Sequence, residues 1–172
     1  MIALLQRVKS ASVTVNNEKI AKIEQGLLVL LGVEKNDETA VAVKLAEKIL
    51  RYRVFADKND KMNLSVLDIG GSVIMVPQFT LAADTQKGLR PSFSSAADPE
   101  KGFTLFTQLI DIMRKKGESL YADIDVDMTA EDSNCHGITS GLKQNWLQTG
   151  QFGADMAVEL INDGPVTFTL KS

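Results

Sequence analysis

Gly26-Leu27-Leu28-Val29-Leu30-Leu31-Gly32-Val33 is an uninterrupted apolar run bounded by glycine. A half-exposed strand alternates polar with apolar residues. This run does not, so it predicts a strand buried on both faces. Toward the N-terminus, residues 2–8 and 12–15 read as two short strands, the second alternating at Val13 and Val15. Asn16-Asn17 marks a turn into a further strand at 19–23. Toward the C-terminus, Asp37 stands where a helix N-cap belongs, with Ala40 in place of the residue that would complete a capping box. Ala42, Leu45, Ala46 and Ile49 then recur at helical spacing, predicting an amphipathic helix over about 38–50.

Residues 52–55 return to a strand-like pattern, Asp57-Lys58-Asn59-Asp60 is a turn, and 72–78 is a second strongly apolar strand. Asp98-Pro99 combines an N-cap with proline at the first helical position. Phe103, Phe106, Ile110 and Met113 mark one face of the helix that follows, up to about Lys116. Residues 117–147 mix acidic residues with Ser, Asn, Gly and Thr, without a sustained period. They read as an atypical insertion or long loop with short elements of its own. A final pair of strands, about 151–161 and 166–170, brackets Asn162-Asp163-Gly164-Pro165. With no repeat and no linker, the order predicts one α+β domain over 1–172: a curved, barrel-like, mostly antiparallel sheet with two main helices.

Composition narrows the function classes. At 172 residues, 44% hydrophobic and 24% charged, the chain suits a single ordinary globular domain. No stretch approaches a membrane span and no signal peptide is visible, so the expectation is no membrane and a cytoplasmic location. A single cysteine, Cys135, cannot form an internal disulfide. The net charge of −3 is unusual for a protein that touches RNA. The six carboxylates between Glu118 and Asp132 concentrate much of the negative charge. Arg51, Arg53, Lys58, Lys61, Lys87 and Arg90 lie at or near predicted strand ends and loops, as a local basic rim or as scattered surface charge.

Most routes to side-chain catalysis are closed. The one histidine, His136, lies beside Cys135 in the least patterned stretch. A Ser-His-Asp or Cys-His site needs a base held against its nucleophile, and zinc needs three or four ligands. Neither set is present, and Gly70-Gly71 is a turn rather than part of a phosphate-binding loop. No metal and no organic cofactor is expected.

Two segments about eighty residues apart stand out instead: Pro77-Gln78-Phe79-Thr80-Leu81 and Asn162-Asp163-Gly164-Pro165-Val166-Thr167. Both consist of backbone-shaping residues and neutral hydrogen-bonders. The first reads plainly as a strand end, with Phe79 and Leu81 buried. It serves chemistry only if the N–H groups of Phe79 and Thr80 are free to face a developing oxyanion. Thr80 is then an orienting group or a nucleophile, and the absence of a nearby base favours orientation. The second segment reads plainly as a hairpin loop, because Asn, Asp, Gly and Pro are the usual turn formers. Proline opening a strand after glycine is the odd feature.

Together the two segments resemble the signature motifs of the D-aminoacyl-tRNA deacylases, also called D-tyrosyl-tRNA deacylases. The likeness extends to residues 1–8, 26–35, 61–94 and 149 to the end. The resemblance implies a homodimer that hydrolyses the ester of D-aminoacyl-tRNA, and of glycine mischarged on tRNA-Ala, with the terminal ribose 2′-hydroxyl helping to activate water. It makes Gln78, Phe79 and Thr80 the catalytic residues. It makes Gly164 and Pro165 a cis-peptide filter, presented to the partner subunit's pocket, that rejects L-residues. Arg7 matches an arginine that holds this loop, and Asn162 and Pro77 join the substrate-binding set. Thr85 to Phe93 also matches, and its cations stand where a tRNA acceptor end would approach.

The family usually has serine at the position of Pro77. A sister branch that clears L-alanine from mischarged tRNA has proline there but alanine in place of Phe79. The motif is thus mixed, which leaves open an L-alanyl-tRNA-editing enzyme or a non-catalytic RNA- or partner-binding module on the same fold.

Overall fold

The computed structural model describes residues 1–86, 89–128 and 145–172, with 121–128 described by backbone alone. Strand β3 (Gly26–Gly32) is central, paired antiparallel with β1 (Ile2–Val15) and parallel with β6 (Ser72–Pro77). It is buried on both faces, as its continuous apolar sequence requires. Leu27, Val29 and Leu31 face one core cluster, while Leu28 lies in a second cluster with Leu30 packed against it. The first cluster fills the layer between sheet and helices. The second, with Val8, Val13, Ile74 and Val76, fills the concave interior of the curved sheet.

The two segments expected as separate strands at the N-terminus form one strand of 14 residues. A register irregularity between Val8 and Ser10 leaves Lys9 extra and resets the alternation. Val8, Ala11 and Val13 therefore all reach the same interior cluster. A two-residue turn then leads into β2 (Glu18–Ile23). Asn16 and Asn17 both take positive φ, 50° and 65°, the conformation such hairpins need and asparagine tolerates.

Helix α1 (Thr39–Arg51) buries Ala42, Leu45, Ala46, Ile49 and Leu50 against the sheet. The capping expectation fails: the N-cap is Glu38, without a side-chain cap hydrogen bond. Asp37 is buried instead. Its Oδ1 lies 2.5 Å from the Met1 ammonium, and its Oδ2 accepts the Glu34 backbone N–H at 2.7 Å. Both carboxylate oxygens are thus engaged before the helix begins. A small hairpin, β4 (Phe55–Ala56) and β5 (Met62–Leu64), follows and leads to β6.

Helix α2 (Pro99–Met128) starts where expected, with Asp98 Oδ1 accepting the Lys101 N–H at 3.0 Å. It runs well past Lys116, although the sequence there lacks an apolar period. Within it Gly117 makes room for Trp146, which lies so close that a Cβ at residue 117 would sit 2.5 Å from its ring. Phe106, Ile110 and Met113 are buried as expected, but Phe103 is exposed and meets Phe152 edge-on. Cys135, His136 and the rest of 129–144 lie outside the described residues.

Beyond α2, β7 (Leu147–Thr149) pairs parallel with β6, and β8 (Ala157–Lys171) pairs antiparallel with β1. The expected final pair of strands is therefore one strand. Two parallel pairings, reached through the helical crossovers, join three antiparallel ones, so the sheet is mixed, with antiparallel pairing in the majority. Its path β2-β1-β3-β6-β7 curls until the outer strands nearly meet. Gln148 bridges the gap with its side chain: Oε1 accepts the Lys22 N–H at 2.8 Å and Nε2 donates to the Lys22 carbonyl at 2.7 Å.

Candidate functional site

The first motif begins where β6 ends. Gln78 N–H donates to the Leu31 carbonyl at 2.7 Å, which ties the end of β6 to β3. The chain then coils into a 3-10 turn (Phe79–Ala82) instead of continuing as strand. The turn closes through Leu81 N–H to Gln78 carbonyl and Ala83 N–H to Thr80 carbonyl. The first donors of any helical turn have no partner within it. Here those are the N–H groups of Phe79 and Thr80, and neither has a hydrogen-bond acceptor among the described residues. Gln78 Nε2 donates to Thr80 Oγ1 at 2.5 Å, so the two polar side chains brace each other. Gly32 permits this close turn, since a Cβ there would lie 2.9 Å from Leu81 Cβ. Phe79 is 61% exposed, not buried as a plain strand end requires, and packs obliquely on Phe93 at 5.2 Å.

Pro77, Gln78 and Phe79 form one side of a cleft of about 530 Å³. Leu31, Val33 and Val76 also line it, with the start of α2 at Asp98-Pro99 and the segment from Phe152 to Met156. The surroundings are mostly apolar. Asp98 and Asp155 are the only ionisable residues among those lining it, and Asp98 is already occupied in capping α2. Among the described residues no three potential metal ligands come together. A mostly apolar cleft with two main-chain donors beside it, neither taken up among the described residues, is suited to stabilising charge on a carbonyl oxygen.

Sequence reasoning missed Phe152, Met156, Asp98 and Asp155 as cleft residues. Residues 151–156 had been read as the beginning of a strand, whereas they form an irregular wall between β7 and β8. Nothing local signals that role. Asp98 was visible only as a helix cap.

The second motif lies inside β8 as a wide bulge. Gln6 pairs with Thr167 and Val8 with Asn162, so four residues of β8 (163–166) stand opposite the single residue Arg7. Asn162 Oδ1 accepts the Val166 N–H at 3.1 Å, drawing the ends of the bulge together. Arg7 Nε donates to the Asp163 carbonyl at 3.1 Å and lies the same distance from Asp163 Oδ2. Its Nη1 donates to the Val54 carbonyl at 2.6 Å. Gly164 has φ +131°, and a Cβ there would lie 2.8 Å from the Val166 nitrogen. The Gly164–Pro165 peptide is cis, and both residues are exposed.

Within one chain the motifs do not meet. Arg7 is level with Leu27 and Pro77 with Leu31, and β8 is three strands from β6. At usual strand spacings the separation is on the order of 20 Å. Gly164, Pro165, Arg7 and Asn162 line no part of the cleft that Pro77, Gln78 and Phe79 line, and Thr80 is linked to it through Gln78.

The family model for D-Tyr-tRNA(Tyr) deacylase matches residues 4–171. A D-aminoacyl-tRNA deacylase of Shewanella frigidimarina (strain NCIMB 400) is 51% identical over 171 residues, covering 99% of both chains. That of Shewanella sp. (strain W3-18-1) is 48% identical with the same coverage. Among solved structures, a c-Myc DNA unwinding element binding protein is similar with a TM-score of 0.81 and 33% identity, covering 100% of this chain and 99% of that one. A probable eukaryotic D-amino acid tRNA deacylase shares the fold at a TM-score of 0.75 and 16% identity, covering 99% and 98%.

Proposed function

The chain belongs to the D-Tyr-tRNA(Tyr) deacylase family, and from that premise we propose that it hydrolyses the ester between a D-amino acid and the 3′ end of tRNA. It is an enzyme, a carboxylic ester hydrolase acting on D-aminoacyl-tRNA, and we place it in the cytoplasm as a further part of the proposal. The observation that carries the reading is the pair of unpartnered N–H groups at Phe79 and Thr80, beside a mostly apolar cleft. Water adds to the ester carbonyl and the oxygen of the tetrahedral intermediate takes the negative charge. The two N–H groups receive it, each such donor contributing roughly 10²–10³ in rate. The bond to the ribose 3′-oxygen then breaks, and that oxygen leaves with a proton. Among the described residues no imidazole, thiol or amine lines the cleft, which accords with the help from the substrate's own 2′-hydroxyl that the family resemblance implies. Gln78 and Thr80, braced together, orient the ester.

The distance between the motifs gives the homodimer its purpose. The filter bulge belongs to β8, which among the described residues pairs only with β1, on one of its two edges. Ile161, Leu160 and Phe168 are exposed on the same strand, as expected of a surface covered by a second copy. In the dimer, Gly164 and Pro165 of one subunit wall the cleft of the other. Their fixed main chain collides with an L-side chain and leaves a D-substituent or glycine free. A pocket that reads side chains discriminates by only about 1–3 kcal/mol per methylene. Exclusion by rigid backbone needs no such recognition and accepts many D-residues.

Incubation with D-Tyr-tRNA, L-Tyr-tRNA and L-Ala-tRNA, followed by measurement of ester loss, is the test. Release from the D-ester alone supports the proposal. Release from L-Ala-tRNA alone assigns the sister chemistry, and release from none removes catalysis from the reading.

A further inference from the structure

Lys44, Lys48 and Arg51 stand at i, i+4 and i+7 of α1, on the face opposite its buried residues. All three are exposed, and the stripe continues through exposed Arg53 to Lys58 and Lys61 at the β4–β5 hairpin. The stretch 44–61 carries six cations and three carboxylates, a charge of +3 in a chain of net −3. Two of the carboxylates are already engaged. Glu47 is paired with Lys116 at 3.0 Å, which leaves Arg51 only a 3.9 Å contact, and Asp57 is taken up by Asn63 and the N–H groups of Asn59 and Lys61. The side chains of Lys44, Arg53 and Lys61 have no partner among the described residues, and Lys58 makes no hydrogen bond or ion pair there, acting only at a distance on Asp57.

The stripe also adjoins the filter bulge. Arg7, which grips Asp163, donates to the carbonyl of Val54, the residue after Arg53. Tyr52 packs edge-on against Phe168 of β8, and Lys48 Nζ donates to the Lys171 carbonyl. The C-terminal end of α1 is thereby fixed beside the strand that carries Gly164 and Pro165.

We propose that this basic stripe grips the phosphates of the tRNA acceptor stem, so that the subunit supplying the filter also holds the RNA delivered to its partner's cleft. The occupant is a nucleic-acid backbone rather than a membrane, because the stripe runs up to an element of the tRNA site and, over residues 44–62, exposes a single large apolar side chain, Met62, too little to insert into a bilayer. The inference rests on the deacylase reading. The alternative charge-rich surface, at the N-termini of the two helices, is acidic (Asp37, Glu38, Asp98 and Glu100) and would repel phosphate.

The experiment pairs the triple variant Lys44→Ala/Arg51→Ala/Arg53→Ala with two substrates, full-length D-Tyr-tRNA and 3′-O-(D-tyrosyl)adenosine, which has no stem. The expected result is a KM for the tRNA substrate raised about tenfold and a log–log salt dependence shallower by about 0.7–0.9 per lost contact, with cleavage of the adenosine ester unchanged. Equal loss on both substrates overturns the proposal, as does an unchanged salt dependence. Uncharged tRNA binding is measured in parallel, and anionic vesicles of phosphatidylserine are the control. If neither ester is cleaved by the unmodified protein, the deacylase reading fails, while weaker tRNA binding by the variant still upholds the grip and unchanged binding removes it. Binding to vesicles in place of tRNA also removes it.

Discussion

Arg7 Nε lies 3.1 Å from both the carbonyl oxygen and the Oδ2 of Asp163, residues separated by most of the chain. Arg7 is the only residue of β1 opposite the four-residue bulge of β8. A guanidinium is suited to this position because its planar fork serves Asp163 and the Val54 carbonyl at once. Arg7→Ala removes these charge-assisted bonds at a half-buried position, so stability falls by about 1–3 kcal/mol. The bulge that carries Gly164 and Pro165, the proposed filter, also loses its fixed placement. L-Tyr-tRNA cleavage should rise relative to D-Tyr-tRNA, measured as the ratio of the two rates on folded protein, and an unchanged ratio would show that Arg7 does not position the filter.

Gly164 permits no side chain. Its φ of +131° lies where L-residues rarely go, and a Cβ would meet the Val166 nitrogen at 2.8 Å and Val166 Cγ2 at 2.7 Å. Gly164→Ala should therefore cost about 1–3 kcal/mol and displace the bulge. Denaturant unfolding and D-Tyr-tRNA hydrolysis check it together. A variant as stable and active as the parent contradicts the geometry.

Much of the fold was legible because its signals are local. The continuous run at Gly26–Gly32 announces a strand covered on both sides, and Ala42, Leu45, Ala46 and Ile49 announce the helix that covers one of them. The failures share another cause. Asp37 looks like a cap until a distant ammonium and the Glu34 N–H claim its carboxylate. Gly117 looks like a helix end until Trp146 is seen occupying the place of its side chain. Asn162 to Pro165 looks like a connection between strands, yet β1 pairs on both sides of it and Arg7 fills the gap. The near side of the cleft could be read from Pro77-Gln78-Phe79. The far wall, from Phe152 to Met156, could not, because only tertiary packing brings it there.

Thr80 reaches the site through Gln78, whose Nε2 donates to its hydroxyl. Among the described residues the Thr80 hydroxyl is hydrogen-bonded to the Gln78 amide and to no base that would make it a nucleophile. Thr80→Ala should lower D-Tyr-tRNA hydrolysis by less than about ten thousandfold, the upper range for a group assisting by hydrogen bonds, and Thr80→Ser should restore most of it. Complete loss with substrate binding intact, or a trapped acyl-enzyme on the threonine, would assign a covalent mechanism instead.

The turn at the tip of the β4–β5 hairpin offers a pH-dependent readout. The Asn63 amide, then the N–H groups of Asn59 and Lys61, hold the Asp57 carboxyl below the usual aspartate range. A folded-state value below the unfolded one stabilises the turn at pH above the unfolded value, and that contribution disappears as pH falls through the folded value. The turn should thus stay intact at neutral pH and loosen only in acid. Asn63→Ala should raise the Asp57 titration toward the ordinary value, followed by NMR of its carboxyl carbon. An unmoved titration would show that the Asn63 amide is not its cause.

Gln148 closes the sheet where the backbone does not. Its amide meets both the N–H and the carbonyl of Lys22, as a neighbouring strand would, and seals β7 to β2. Gln148→Ala removes these two exposed hydrogen bonds and a third, from Nε2 to the Asn145 carbonyl, and should cost about 1 kcal/mol. Gln148→Glu keeps the acceptor for the Lys22 N–H but loses the donor, so it should fall between parent and alanine variant. The Lys22 amide should exchange faster with solvent in Gln148→Ala, read by hydrogen exchange. β7 leads directly into the Phe152–Met156 wall of the cleft, so the same change should raise KM for D-Tyr-tRNA more than it lowers kcat. Accelerated exchange without a change in KM would separate barrel closure from the shape of the cleft.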